Sequence, residues 1–414
     1  MLSWLSRDGK ILLMSRIIRA IGYGFLSVVL AIYLSLLGLE EFRIGVILAG
    51  ALLGGAMFTI LASLLERRLG RRGMLILLAA LMSVAGSVFL LTTNFVALLV
   101  AALIGTINAT GTEVGPFLSI EQAIIPQTCD ERRRTLAFAL YNTGGSLATS
   151  VGALLSGLPS AIQRTLQLTL VDSFKPVFAL YILIAGVTLL LYASLSGRVE
   201  ASTPPQGASR HRIFSPESRW IVTRLSALFA LDAFAGGFVI QSVVAYWFFA
   251  RFEAPLEQLS VIFSTAGVLT ALSFLAAARL AEKIGLINTM VFTHIPSNVL
   301  LMAVPLAPTF PLAIAFYLAR MGLSQMDVPT RQSYTVAIVE PEERVAASGF
   351  TNTSRNVAQA VSPSIAGYAL QFFSLSFPFV IGGVLKIFYD ILLYAEFRGL
   401  KSPEERSNQS GPVN

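Results

Sequence analysis

Long apolar runs constrain the fold of this chain more than any other feature of its sequence. A helix needs about 20 consecutive apolar residues to cross the hydrocarbon layer of a bilayer, and only 13% of the 414 residues are charged. Because a segment in lipid must satisfy its own backbone hydrogen bonds, the runs predict an all-α integral membrane protein with twelve transmembrane helices. The predicted spans are residues 11–37, 44–64, 74–93, 95–125, 135–158, 176–195, 220–250, 257–279, 286–306, 311–338, 345–371 and 376–398.

The basic residues are divided unequally between the two sides of the predicted membrane. If the N-terminus is cytoplasmic, most of the 30 Lys and Arg residues fall in cytoplasmic loops and tails. Only Arg43, Arg164, Lys175 and Arg251 then lie outside. This is the positive-inside pattern, so we expect a multi-pass protein of the cell (plasma) membrane with both termini in the cytoplasm. The net charge of +7 therefore indicates topology, not binding of nucleic acid.

A long polar segment divides the spans six and six, and the two halves repeat weakly. We expect an N-terminal six-helix bundle at 1–195, a cytoplasmic linker at 196–219, a C-terminal six-helix bundle at 220–398 and a cytoplasmic tail at 399–414. In the alignment of the halves, Arg19 corresponds to Asp232 and Glu121 to Arg331. Parallel repeats of this kind are typical of transporters.

A short turn that joins acidic, basic and glycine residues follows the second span of each half. The residues of this turn are Glu66, Arg68, Gly70, Arg71 and Arg72 in the first half and Glu282, Lys283 and Gly285 in the second. With twelve spans in two repeats, the chain resembles the major facilitator superfamily of transporters, of the twelve-span type that includes small-molecule and multidrug exporters. It departs from the loop motif of that family where Arg67 occupies the position of an aspartate.

The resemblance implies two six-helix bundles related by pseudo-twofold symmetry and a monomer that works by alternating access. It also implies that the first, fourth, seventh and tenth spans line a central cavity, while the third, sixth, ninth and twelfth are peripheral. Charges inside a membrane are costly and usually functional, and here they collect mainly in spans 1, 4, 7, 10 and 11. The candidate residues for substrate binding or proton coupling are Asp327, Arg331, Arg355, Asp232, Glu113, Glu121, Arg19, Asn142, Asn352 and Gln332.

Depth along the helices predicts which of these charges meet. At about 1.5 Å of rise per residue, Asp327 and Arg355 lie at one level, and we expect them to be in contact. We also expect Glu121 to face Arg331 across the interface between the halves. Pro329 should loosen the helix between Asp327 and Arg331.

Two readings of the intramembrane carboxylates remain open. Asp327, Asp232 or Glu113 could carry a proton, with Arg331, Arg355 and Arg19 as switches or as contacts for an anion, because burial and a movable arginine change how readily a carboxylate binds a proton. Alternatively, Asp327 could form a structural ion pair with Arg331 or Arg355.

Three further ionisable residues lie in the interiors of the peripheral spans, away from the span ends. There, we interpret His294 as a packing residue of span 9, and Lys386 and Asp390 as a pair that neutralises itself within span 12.

The sequence lacks the motifs of several other classes of protein. It has no phosphate loop, no His-Glu-x-x-His zinc site and no Gly-x-Ser-x-Gly nucleophile turn. We therefore expect no enzyme, no cofactor and no metal. The expected function is a secondary active transporter, with proton-coupled export of a small organic molecule across the lipid bilayer. The alternatives are proton-coupled or facilitated uptake of a small or anionic metabolite, and a non-transporting membrane sensor or assembly factor.

Overall fold

The computed structural model describes residues 4–111, 115–130, 133–200, 214–340 and 343–400, with the side chains of residues 63, 66, 67, 134–136 and 345 also left aside. Within these ranges the regular structure is entirely helical. The helices are α1 (Arg7–Leu36), α2 (Glu41–Leu91), α3 (Phe95–Ile104), α4 (Pro116–Ile124), α5 (Arg134–Leu155), α6 (Leu158–Leu166), α7 (Lys175–Ala193), α8 (Pro216–Gly237), α9 (Gln241–Phe252), α10 (Leu256–Ile284), α11 (Leu286–Ala303), α12 (Phe310–Ser324), α13 (Asp327–Ala337), α14 (Arg344–Phe372) and α15 (Phe377–Phe397).

The outer ends of the predicted spans coincide with helix ends to within a few residues, whereas α6 lies in a predicted loop. Among the described residues, nine helical stretches are long and apolar enough to cross a membrane. The predicted spans outside that set are the fourth, tenth and eleventh. The fourth and tenth fall short because each is divided into two shorter helices. The eleventh, α14, is a long helix, but serine, threonine, asparagine and glutamine residues interrupt its apolar sequence.

Three spans that the sequence predicts as continuous are broken in the structure. Span 4 is divided between α3 and α4, span 7 between α8 and α9, and span 10 between α12 and α13. Pro116 begins α4, where its missing N–H is tolerated. In span 10 the break falls at Gln325, four residues before Pro329, whose ring clashes with the carbonyl of that residue in a regular helix. Irregular backbone at membrane depth is tolerated only where protein or a water-filled cavity surrounds it.

The two glycine turns have the same backbone conformation, as the repeat predicts. Gly70 sits at a kink within α2 with φ 70° and ψ 168°. Gly285 precedes α11 with φ 89° and ψ 164°. A side chain would be strained at these positive φ values, so glycine is required in both turns.

The chain forms two compact units, each with its own apolar core. Unit 1 comprises Met1–Pro204, Val239–Val268 and Pro363–Leu375, and unit 2 comprises Pro205–Phe238, Leu269–Ser362 and Ser376–Asn414. The core of unit 1 includes the buried rings of Phe117, Tyr141 and Tyr192. The core of unit 2 includes Phe229, Tyr334 and Tyr389. Most of the predicted site residues lie next to these two cores.

Candidate functional site

Unit 1 contains a fully buried ion pair between α1 and α4. The side chains of Arg19 and Glu121 are both 0% exposed, with 2.6 Å between Arg19 Nη2 and Glu121 Oε2. A second, longer hydrogen bond of 3.4 Å joins Arg19 Nη1 to Glu121 Oε1. Buried ion pairs persist only when their remaining hydrogen-bonding positions are also filled.

Two tyrosines and a phenylalanine complete the surroundings of this pair. The Tyr192 hydroxyl donates to Glu121 Oε1 at 2.7 Å, and the Tyr141 hydroxyl donates to Oε2. The Arg19 guanidinium lies 4.3 Å from the centre of the Phe117 ring, within the range of a cation–π interaction. Both Glu121 oxygens are therefore occupied by donors from within unit 1.

Unit 2 contains a larger charge network centred on Asp232 of α8. Lys386 of α15 donates to Asp232 Oδ1 at 2.6 Å, and Arg355 of α14 donates to Oδ2 at 2.9 Å. Arg331 of α13 lies 3.6 Å from the same Oδ2. Asp232 is 3% exposed, so this carboxylate ties three other helices to α8 in a buried setting.

Arg331 is shared between two carboxylates. Its Nη1 donates to Asp327 Oδ2 at 2.6 Å, one helical turn earlier in α13, and lies 3.6 Å from Asp232 Oδ2. Asp327 is the first residue of α13, directly after the break in span 10. The loosening predicted between Asp327 and Arg331 is not found, because α13 runs unbroken through Pro329. The interruption lies before Asp327 instead, at Gln325, the residue whose carbonyl the Pro329 ring would meet in a regular helix. A shift of about 1 Å by the guanidinium group would transfer its stronger contact from one carboxylate to the other.

His294 joins a third carboxylate to the same network. A hydrogen bond of 2.8 Å joins its Nδ1 to Asp390 Oδ1, and when the carboxylate is ionised the ring N–H is the donor. Asn298 Nδ2 donates to the other Asp390 oxygen at 3.1 Å. The second ring nitrogen of His294 lies 4.0 Å from Asp232 Oδ1. The imidazole therefore stands between two buried carboxylates.

Two predicted pairings are wrong. The structure pairs Glu121 with Arg19 instead of Arg331, and it pairs Arg355 with Asp232 instead of Asp327. The physical reason is that rise per residue fixes depth along a helix but not the direction in which a side chain points. The alternative reading, in which Asp327 pairs with Arg331 in its own helix, matches the geometry.

One expectation for the peripheral spans is also wrong. Lys386 pairs with Asp232, and Asp390 with His294, so Lys386 and Asp390 do not neutralise each other as predicted. His294 is buried and hydrogen-bonded, as expected of a packing residue, and it also takes part in the polar network. Spacing along the helices is the sequence signal for this polar network. His294 and Asn298 stand four residues apart on one helix face, and so do Lys386 and Asp390.

The two units carry an ion pair at corresponding positions with the charges exchanged, although in unit 2 both residues also have closer partners. Arg19 and Glu121 form the pair in unit 1. Asp232 and Arg331, the residues that align with them, stand 3.6 Å apart in unit 2. The repeat has therefore kept the pair of positions while reversing the sign of each.

The remaining predicted residues lie apart from these clusters. Asn142, Asn352 and Gln332 are exposed, as are Arg68, Glu282 and Lys283 of the glycine turns. Glu113 and the side chain of Glu66 lie outside the described residues.

One carboxylate that sequence reasoning overlooked contacts the first glycine turn. Glu200 accepts the backbone N–H of Arg71 at 2.6 Å and that of Arg72 at 3.3 Å, next to Gly70. Arg72 also donates to the carbonyl of Ala193 at the end of α7. The acidic contact of this turn thus comes from a residue that follows the sixth span.

Comparison with known proteins gives a consistent result. The profile of the Major Facilitator Superfamily matches residues 12–326 and 251–413. An uncharacterized membrane protein of Saccharomyces cerevisiae, YJR124C, is 26% identical over 427 residues, which cover 95% of each chain.

Solved structures show the same fold. A variant of the nucleoside transporter NupG superimposes with a TM-score of 0.75 at 13% identity, covering 94% of this chain and 100% of that one. A POT family transporter in complex with 5-aminolevulinic acid gives a TM-score of 0.73 at 14% identity and covers 96% of both chains. The likeness confirms the predicted fold class of twelve transmembrane helices in two six-helix bundles.

Proposed function

The chain belongs to the major facilitator superfamily, and on that premise we propose that it is a secondary transporter that couples proton movement to the export of a small organic molecule by alternating access. The observation that carries the proposal is the position of Arg331 between Asp327, at 2.6 Å, and Asp232, at 3.6 Å. A guanidinium group with two carboxylates in reach can pair more closely with one or with the other. Proton coupling needs two such states whose populations a bound proton can shift.

In the proposed mechanism, Asp327 is the proton carrier and Arg331 is its switch. A proton on Asp327 cancels the charge that holds Arg331 and frees the guanidinium group to move toward Asp232. Loss of the proton restores the first arrangement. Asp327 is favoured over Asp232 because its neutralisation breaks one described ion pair, whereas neutralising Asp232 would break the contacts with Lys386 and Arg355.

We further propose that His294 delivers or receives protons on the far side of Asp232. Histidine changes charge near neutral pH more readily than any other side chain. The ring is held by Asp390 through Nδ1 and presents its other nitrogen toward Asp232 at 4.0 Å. Glu113, from the same set of candidates, stays a second possible carrier.

The substrate class in this proposal is a small organic molecule. One structural neighbour is described as a nucleoside transporter, and another as a POT family transporter in complex with 5-aminolevulinic acid. Nucleosides and 5-aminolevulinic acid are both small organic compounds. Export follows the resemblance of the sequence to exporters, and uptake is the alternative. The proposal includes a monomer in the plasma membrane with both termini in the cytoplasm, and no enzymatic step.

The test is proton movement in liposomes that contain the purified protein and a trapped pH-sensitive dye. The probes are nucleosides, dipeptides, monocarboxylates and lipophilic cations, each applied as a concentration gradient. We expect at least one probe to move protons opposite to its own gradient with the wild type, and Asp327→Asn to abolish this flux. The control is Asp172→Asn, which removes an exposed carboxylate paired with Lys175.

Each outcome of this test has one meaning. Protons that move with the probe, not against it, indicate uptake by symport and overturn the export direction. If the wild-type protein carries a probe across the membrane and the trapped dye reports no proton movement, proton coupling is overturned. A flux that persists in Asp327→Asn while the control behaves as wild type overturns the assignment of Asp327.

A further inference from the structure

Arg320 is a buried cation with weak partners. It lies in α12, about 15 Å from the start of that helix at Phe310, and is 8% exposed. Its Nη1 donates to the thioether sulfur of Met321 at 3.3 Å, which is a weak acceptor. Its Nε is buried and has no hydrogen-bond partner.

Within the described ranges, the surrounding network leaves Arg320 without an ion-pair partner of its own, and the carboxylate that acts on it, Asp232, is already paired with two other cations. Among the described residues of unit 2, each buried carboxylate already has a basic or imidazole partner: Asp327 has Arg331, Asp232 has Lys386 and Arg355, and Asp390 has His294. No carboxylate in this part of the chain lies within ion-pair distance of Arg320. With Arg320 included and the imidazole counted as neutral, the cations of the network exceed its carboxylates by one. The cations are Arg320, Arg331, Arg355 and Lys386, and the carboxylates are Asp232, Asp327 and Asp390.

An arginine cannot relieve this imbalance by losing its proton, because its pKa in water already lies far above neutral pH. A buried cation without a counter-charge is costly. Its retention indicates that another group supplies the missing negative charge during the working cycle of the protein.

The backbone near Arg320 supports a ligand as the source of that charge. Helix α12 ends at Ser324, one turn after Arg320, where span 10 is broken. Broken helices at mid-membrane depth are where transporters of several folds form their substrate sites. Arg320 and the break are independent observations that indicate the same place.

We propose that Arg320 binds the carboxylate of a substrate that carries one negative charge. This rests on the proposed transport function and narrows its substrate class to monoanionic organic acids. The planar guanidinium group matches a carboxylate with two parallel hydrogen bonds. With Asp327 ionised and His294 neutral, one negative charge balances the network, whereas a dianion would reverse the imbalance.

The first experiment measures ligand binding by the thermal stability of the purified protein in detergent, without a proton gradient. The probes are acetate and benzoate, compared with their neutral amides acetamide and benzamide and with sulfate, all at one ionic strength. We expect the carboxylates to raise Tm and the amides to have no effect. Arg320→Gln should weaken the apparent affinity for the carboxylates by about 30-fold or more, and Arg320→Lys should retain part of it.

The matched control is Arg224→Gln, which removes an exposed arginine paired with Glu396 and should respond as wild type. Equal effects of a carboxylate and its amide, no effect of either, or an unchanged response in Arg320→Gln would overturn the proposal. A stronger Arg320-dependent effect of sulfate than of acetate would overturn the assignment to a monoanion.

The second experiment uses the ligand-free protein and needs no knowledge of the substrate. Removing an uncompensated charge should stabilise the fold, so we expect Arg320→Met to raise Tm by about 2 °C or more. A lower Tm would mean that Arg320 is a structural partner and would overturn the inference. Both readouts are independent of proton coupling, so Arg320-dependent binding without proton flux would contradict the proposed function alone.

Discussion

The buried pair between Arg19 and Glu121 leads to a prediction about reversed charges. The aligned positions of unit 2 hold an acid and an arginine in the opposite order, Asp232 and Arg331. If the pair in unit 1 depends on charge complementarity more than on the identity of each residue, exchanging its charges should be tolerated. The variants are Arg19→Glu, Glu121→Arg and the double exchange.

The expected size of the effect follows from burial. Both side chains are 0% exposed, so each single change places two like charges together away from water. Breaking a buried ion pair costs about 3–5 kcal/mol of unfolding free energy, mainly because an uncompensated charge stays buried. The double variant should recover at least half of that loss. The Tyr141 and Tyr192 hydroxyls can accept from an arginine as well as donate to a carboxylate, so they remain satisfied.

The assay is reversible unfolding in mixed detergent micelles, followed by circular dichroism, for the wild type and the three variants. A double-mutant cycle then gives the interaction energy between the two positions. The same exchange at the exposed pair of Arg224 and Glu396 serves as the control, where each single change should cost at most about 1 kcal/mol. If the double exchange at Arg19 and Glu121 loses as much as the two single changes combined, the reasoning from charge complementarity is refuted.

Two further predictions concern the polar contacts outside the spans. Gly70→Ala should lower the unfolding free energy by about 1–3 kcal/mol because of the positive φ, and its added Cβ would also meet Glu200 Oε2 at 2.5 Å. The control is Gly73→Ala, whose Cβ would have its nearest atom at 3.6 Å and which should be neutral in the same unfolding assay. The hydrogen bond from the Ser218 side chain holds the pKa of Glu343 below its ordinary 4.5. The ionised Glu343 carboxylate therefore stabilises the fold above pH 4.5, and this contribution is lost as the pH falls through the lowered pKa. The difference in Tm between wild type and Glu343→Gln should be constant from about pH 6 to 8 and should vanish in acid. A difference in Tm that grew on acidification would contradict this sign.

The sequence predicts the helices well and their partners poorly. Apolar length and turn residues place the spans to within a few residues, because crossing a bilayer sets the length of a helix. The breaks in spans 4 and 10 carried proline signals at Pro116 and Pro329, yet a proline alone does not distinguish a kink from a full interruption. Span 7 breaks after Gly237 without any proline.

Chemistry alone singles out most of the buried charges from the sequence, but the contacts of these residues depend on tertiary packing. Asp232, Asp327, Arg331 and Arg355 stand in one network, as a membrane interior would require of buried charges. Lys386 and His294 were assigned to the periphery because the family resemblance placed their spans there. The neighbours that these two side chains reach depend on how each helix is rotated about its axis relative to the next one. Periodicity along a single helix does not fix that rotation.

The measurement that tests the central claim most directly compares two activities of Asp327→Asn in the same liposomes. One is exchange of labelled for unlabelled substrate at equal concentrations and equal pH, and the other is accumulation driven by a pH gradient. If Asp327 carries the proton that releases Arg331, the variant should retain exchange, because alternating access with bound substrate needs no proton transfer, and should lose accumulation. Accumulation at the wild-type rate in Asp327→Asn would contradict the account.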